Sequence, residues 1–396
     1  MGSVLIEKLW PNNSITFNKY YSPNEFKKKI SKLNPLFEGI VVNDAKDLIN
    51  FILLNLHEEL NLRKQNDKSN NFKNIILDQR NEELMYNNFK NSFDKNNKSI
   101  IKDLFYGINC CKIRCNSCAC ISYDYYIYTF LVFPLEDILK YKIDKCNNST
   151  NSNSYNNWNN NINLNNCNYN FNNNVINNYN INDNINNMNY NFYSNIKYNQ
   201  NGNNNMNQNI INNNFNDYKL NSNNNNNIIN INSSKVINNS QYSNNQENDT
   251  ISLIDCFEYI QRINIMNGEN QIYCKFCKRS SDSYFQTILT EIPEILILSI
   301  NRGNGNKLNP KFQFNEFINL DQFLNNKINN NYILIGVIAQ IDENNGNNHF
   351  IAYCLDPLNK KNWIKYDDES VTDDIDFQEE IINCAKPYLL FYQKIK

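Results

Sequence analysis

From about Lys145 to about Glu247 the chain is overwhelmingly asparagine, with scattered Tyr, Ile and Ser, few charges and no sustained apolar period. A tract of that kind cannot bury enough apolar surface to offset its conformational entropy, so it is expected to be a disordered insertion. Any folded body has to be assembled from the two flanks, 1–144 and 248–396. Of the 396 residues, roughly 290 then remain, enough for one large domain or two modest ones. An inert insert is the plainer reading of the tract, and a self-associating, prion-like segment is the alternative.

Charge and hydropathy exclude several classes. The net charge of -2 and the pI near 5.9 leave no basic excess, so neither nucleic acid nor an anionic membrane surface is an expected partner. No apolar run approaches the ~20 residues needed to span a bilayer, and Met1-Gly2-Ser3-Val4-Leu5 lacks the basic start and apolar core of a signal peptide. The expected setting is intracellular, in cytoplasm or nucleus.

The flanks carry periodic signals. Asn43 is placed to cap a helix through Leu60, since Ala45, Leu48, Ile52, Leu56 and Leu60 recur at three- or four-residue intervals and should bury one face. Ile292 to Ile300 is apolar at successive positions, as expected of a strand covered on both faces. Tyr332 to Ile341, Phe350 to Leu355, Trp363 to Tyr366 and Tyr388 to Gln393 are further short β-branched and aromatic runs between Asn, Gly, Asp and Pro turns. The expected fold class is α+β, with a mixed sheet toward the C-terminus and helices mostly toward the N-terminus.

Twelve cysteines in a chain without a signal peptide point to thiols or metal ligands rather than disulfides. Cys115-Asn116-Ser117-Cys118 and Cys274-Lys275-Phe276-Cys277 are two C-x2-C knuckles, the spacing at which paired thiolates from tight turns grip one tetrahedral zinc. Cys118 and Cys274 are 156 positions apart, but most of that separation is the Asn tract. Cys115, Cys118, Cys274 and Cys277 are therefore candidate ligands of a structural Zn2+. Reduced thiols on turns are the alternative, and Cys111 is a second choice for the place of Cys115. Cys110 and Cys120 crowd the same turn, whereas Cys146, Cys167, Cys256, Cys354 and Cys384 read as isolated buried or incidental thiols.

Only two histidines occur, His57 and His349. His57 falls in the expected helix with no acid box nearby and reads as structural. His349 lies on an expected strand shortly before Asp367-Asp368, and a histidine oriented by a carboxylate is the base half of a nucleophilic hydrolase site. A satisfied strand histidine and a solvated Asp-Asp turn are the plain alternatives.

These residues fall into a family pattern. The run Tyr273 to Cys277, the strand Ile292 to Leu298 ending near Arg302, Tyr332-Ile333-Leu334, the box His349-Phe350-Ile351-Ala352-Tyr353, then Trp363, Tyr366-Asp367-Asp368, Val371 and Tyr388 to Tyr392 resemble the second half of a ubiquitin-specific protease. Phe37-Glu38-Gly39, Asn43 to Leu48 and Leu53 to Leu60 resemble the segment after that family's cysteine box, and Gly107 to Cys118 resembles the entry to its fingers. The resemblance implies a papain-like fold with an incomplete thumb, zinc-knuckle fingers and a mixed β-sheet palm, divided as 1–144, the insert 145–247, and 248–396. It implies His349 as general base, Asp367 as its orienting acid and Asp368 as a neighbouring acid, with zinc on the four knuckle cysteines and no organic cofactor. The implied partners are ubiquitin and ubiquitinated proteins.

The same pattern marks what is missing. The family's nucleophile sits in a Gly-Asn-x-Cys box opening a helix, and this sequence has none; its first cysteine is Cys110. The side-chain oxyanion donor before that cysteine goes with it, on precedent about 3 kcal/mol of transition-state stabilisation. Cys354, five positions beyond His349 on one expected strand, should face the other way, and Cys384 reads as a loop residue. Asn348 stands where the family usually has Gly, and Gln340 where many members carry another His. The expected function is thus a cysteine-type deubiquitinase, cutting the isopeptide bond at the ubiquitin C-terminus, whose nucleophile box lies in an upstream exon, the chain alone being inactive. The competing readings are a ubiquitin-binding pseudoprotease and a degraded gene product that does not fold.

Overall fold

The computed structural model describes residues 22–39, 44–63, 80–148, 250–303, 310–325, 329–342, 348–357, 359–383 and 385–395. The Asn tract, apart from its first few residues, lies outside them, as do Asn43, Cys167 and Cys384. All the described residues belong to one unit built from both flanks.

The N-terminal flank is helical: α1 (Asn24–Leu33), α2 (Ala45–Leu60), α3 (Glu82–Asn96) and α4 (Ile100–Phe105). Asp44, not Asn43, caps α2, its Oδ1 accepting from Lys46 N at 2.7 Å. The expected apolar stripe on α2 is also rotated. Its fully covered positions are Phe51, Leu53, Leu54 and His57, while Leu60 is 45% exposed. The reason is that α2 is wedged between two apolar clusters. Leu48, Phe51 and Ile52 meet Ile30 and Phe37 on one side, and Ile49, Leu53 and Leu56 meet Ile101 of α4 and Ile297 on the other. A helix packed on two sides does not show a single stripe.

Next come the hairpin β1 (Gly107–Cys115) and β2 (Ile121–Tyr128), then β3 (Phe130–Pro134) and α5 (Leu135–Asn148). Gly107 is required at its position because a Cβ there would clash with the ring of Tyr128, its cross-strand partner. After the tract follow β4 (Thr250–Ser252), α6 (Leu253–Ile260), β5 (Ile263–Met266), β6 (Ile272–Cys274), β7 (Arg279–Ser281) and β8 (Ser283–Glu291). A four-stranded sheet forms in the order β2-β1-β8-β5, with β6 and β7 a separate hairpin.

The larger sheet has eight strands. Its path runs β15 (Ser370–Ile375), β14 (Trp363–Asp367), β13 (Asn348–Leu355), β12 (Asn331–Asp342), β16 (Pro387–Lys394), β9 (Ile295–Asn301), β3, with β11 (Phe317–Asn319) also on β12. β3 runs parallel to β9 and the other pairings are antiparallel, so the sheet is mixed. β10 (Lys311–Gln313) pairs in parallel with β4. β9 is covered on both faces as expected: Leu296, Leu298 and Ile300 enter the main core with Phe133 and Phe257, and Ile297 enters the cluster under α2 and α4. It begins at Ile295, past Pro293, whose ring nitrogen has no proton for a ladder; the Pro293 carbonyl accepts from Tyr332 Oη at 2.8 Å.

Candidate active site and thiol cluster

His349 is the second residue of β13, and Asp367 is the last of β14. The two strands pair from Ala352↔Tyr366 to Leu355↔Trp363, which leaves Asp367 just past the ladder and diagonal to His349. There His349 Nε2 and Asp367 Oδ1 are 2.7 Å apart. A carboxylate accepts, so the neutral imidazole carries its proton on Nε2 and offers Nδ1 as its basic atom. The pair is partly covered, the side chains being 23% and 34% exposed.

Asp368 opens the two-residue turn between β14 and β15, closed by the pair Asp367↔Ser370. Its φ of +50° is left-handed, a conformation costly for most side chains but visited by Asp. The turn keeps its carboxylate at the dyad: the ligating atoms of His349, Asp367 and Asp368 all lie within 4.8 Å of one another. Sequence reasoning missed Lys365, whose Nζ is 3.7 Å from Asp367 Oδ2. The available signal was the strand period, because residues two apart share a face.

Among the described cysteines outside the knuckles, burial disfavours the thiolate at Cys110, Cys111, Cys256 and Cys354. β13 is unbroken between His349 and Cys354, so alternation turns them to opposite faces as expected, and burial pushes the Cys354 thiol up to about 11. Burial likewise pushes Cys110 and Cys111 up to about 12. Gln340 pairs with Phe350, one step from the Ile341↔His349 pair. His57 is fully buried, with Nδ1 2.6 Å from Ser99 Oγ and Nε2 3.0 Å from Asn97 Oδ1. It is a structural clasp between α2 and the start of α4.

In the other sheet the knuckles meet. β1 ends at Cys115 opposite Ser283, the first residue of β8, so the β1–β2 turn lies against the β6–β7 hairpin that leads into β8. Asn116 N donates to Asp282 O at 2.9 Å, and the Ser117 and Ser281 hydroxyls are 3.0 Å apart. The residue after each knuckle is left-handed, Ala119 at φ +57° and Lys278 at φ +54°, so both turns end alike. The sulfurs of Cys115, Cys118, Cys274 and Cys277 all lie within 4.8 Å of one another. Cys115 and Cys277 are 3.8 Å apart and Cys118 and Cys274 are 3.6 Å apart. A tetrahedral zinc with Zn–S near 2.3 Å sets its sulfurs about 3.8 Å apart, so the set fits that ion. Desolvation pushes Cys118 and Cys274 up to about 12, whereas at Cys115 desolvation is outweighed by backbone amides of Cys118 and Ser117, which hold it near 7. Thiols so crowded cannot all ionise without a cation to share. Cys111 and Cys120 stand outside the four-sulfur set.

Among the described residues, no helix is long and apolar enough to cross a membrane. Ubiquitin carboxyl-terminal hydrolase 16 of Arabidopsis thaliana is 30% identical over 156 residues, 37% of this chain and 15% of that protein. Ubiquitin carboxyl-terminal hydrolase 15 of Bos taurus is 30% identical over 137 residues, 33% of this chain and 13% of the other. The chain thus matches only a small share of these relatives' length. A chain of the SAGA DUB module Ubp8/Sgf11/Sus1/Sgf73 bound to monoubiquitin shares the fold, with a TM-score of 0.50 and 15% identity over 93% of this chain and 52% of that one. The family model for ubiquitin carboxyl-terminal hydrolase matches residues 3–392, and the chain belongs to that family, among the ubiquitin-specific proteases.

Proposed function

We propose that this chain is a cysteine-type deubiquitinase that acts on the isopeptide bond at the ubiquitin C-terminus, and that residues 1–396 do not cut by themselves. The observation that carries the reading is the His349–Asp367 pair at 2.7 Å, held on adjacent strands of a sheet with this family's fold. His349 Nδ1 takes the proton of an attacking thiol, Asp367 fixes the ring and stabilises the imidazolium, and Asp368 positions substrate or water. No Gly-Asn-x-Cys box occurs in the sequence, so the thiol has to be supplied from outside it.

The four knuckle cysteines hold a structural Zn2+ that ties the β1–β2 and β6–β7 hairpins. The fingers and the larger sheet together hold ubiquitin, as the related module's bound monoubiquitin suggests. The division is 1–144 for the thumb remnant and first half of the fingers, 145–247 for the insert, and 248–396 for the rest of the fingers and palm.

The test uses the purified full chain, a ubiquitin probe with a thiol-reactive C-terminus, and zinc analysis. The expected result is one zinc per chain, measurable ubiquitin binding and no covalent adduct; adduct formation at any cysteine overturns the inactive assignment. Activity gained when a Gly-Asn-x-Cys segment is joined ahead of residue 1 separates the protease from its alternative, a ubiquitin-binding pseudoprotease, which gains none. The observation favouring that alternative is a paired dyad in a sequence that has no Gly-Asn-x-Cys box.

A further inference from the structure

We propose that Lys365 is a positioning residue of the site, clamping the Asp367 carboxylate so that one oxygen stays on His349. The inference rests on the reading of His349 and Asp367 as the catalytic dyad. Asp367 Oδ1 is 2.7 Å from His349 Nε2, while Oδ2 is 3.7 Å from Lys365 Nζ. The two oxygens of one carboxylate are thus divided between imidazole and ammonium, which biases its rotation about χ2 toward the orientation that keeps Oδ1 on His349.

The neighbouring charge gives the clamp a purpose. Asp368 brings a second carboxylate within 4.8 Å of the dyad atoms, and two like charges at that range repel. Lys365 is the cation that offsets this repulsion on the Asp367 side. It lies two residues before Asp367 on β14, in register with Tyr353 on β13 and Thr372 on β15. Its side chain is only 27% exposed, low for a lysine, as when an aliphatic stem lies along the sheet and the head reaches a fixed partner. A freely solvated lysine has neither the cover nor the directed partner.

The experiment reads the His349 Nε2–H···Asp367 bond itself by nuclear magnetic resonance of the full, zinc-loaded chain with 15N-histidine. Two histidines give two sets of signals, and buried His57 reports whether the fold is intact. In the parent chain His349 Nε2–H should appear as a low-field, slowly exchanging proton. Lys365→Met keeps the stem and removes the charge; its exchange should quicken roughly two- to fivefold, the scale of a partly exposed ion pair, with the His57 signals unmoved. Lys365→Arg should restore the slow exchange. In the parent chain 1 M salt should quicken exchange by a similar factor through screening, and this arm decides the matter if Lys365→Met does not fold. Unchanged exchange both in Lys365→Met and in high salt overturns the clamp. Asp367→Ala, which removes the acceptor, serves as the separate check: if it leaves the His349 signal in place, the dyad reading itself falls.

Discussion

The two histidines show how one residue type takes opposite roles through its surroundings. His57 is sealed between α2 and α4, with Asn97 Oδ1 accepting from Nε2–H and the Ser99 hydroxyl donating to Nδ1. Both ring nitrogens are committed to structural partners, and Ser99 also caps α4 by accepting from Lys102 N at 3.1 Å. His349 has the Asp367 carboxylate on Nε2 and a partly open ring. His57→Ala should therefore cost about 2–4 kcal/mol in urea unfolding, through a buried void and two orphaned partners. His349→Ala should cost less than about 1 kcal/mol while removing the Asp367 pairing. A larger loss at His349 than at His57 would contradict this division. His349 and Asp367 were legible in the sequence because their spacing follows a family pattern, and His57 was legible as structural from its helix. Lys365 carried only the weak signal of the strand period, which puts it on the face of Asp367; that period does not say that its ammonium reaches the carboxylate.

At the scale of elements, the edges of the Asn tract are held together by side chains. Lys142 on α5 bonds Thr250 O at 2.8 Å and Asp255 Oδ2 at 3.0 Å, and Lys145 pairs with Glu258 at 2.5 Å. Asp255 also completes a capping box at the start of α6: its carboxylate accepts from Ser252 N at 2.8 Å, and Ser252 Oγ accepts from Asp255 N at 3.2 Å. Desolvation raises the Asp255 pKa, but the bonds from Ser252 and Lys142 outweigh it and hold the carboxyl below its ordinary value. Its stabilisation is thus full above the ordinary carboxylate range and lost as pH falls through the depressed folded value. Asp255→Ala should lower stability by about 1–2 kcal/mol at pH 7, and the gap to the parent should close as pH falls below about 4. A gap that does not narrow at all as pH falls would assign the loss to packing instead. The knuckle hairpins were legible from C-x2-C spacing alone, since the tight turn is a local property. The cap of α2 falls one residue later than expected: Asn43 and Asp44 are both good cap residues by type, and Asp44 is also held by β16, both its carboxylate oxygens lying 2.6 Å from the Tyr388 hydroxyl.

For the whole molecule, strand content was readable but strand order was not. Successive apolar residues identify β9 as a covered strand, yet nothing local says that β3 from the first flank lies parallel beside it, or that β12 sits between β13 and β16. Those neighbours are fixed by burial shared across the chain: Phe133 before the tract and Phe257 after it meet at 5.4 Å in one core. The two flanks therefore form one body, joined by β1 on β8 and by β3 on β9, and the residues between them need only connect α5 to β4. Lys142 reaching the Thr250 carbonyl shows that α5 and the start of β4 are already neighbours. Replacing 149–249 with a flexible linker of about ten residues should therefore keep zinc content and ubiquitin binding. On the reading of the tract as a disordered insert, the shorter connection lowers the closure entropy and should raise stability by about 2 kcal/mol. Urea unfolding of the zinc-loaded parent and the shortened chain decides it. A shortened chain less stable than the parent, or one that loses its zinc, would mean that the tract makes contacts the folded flanks depend on.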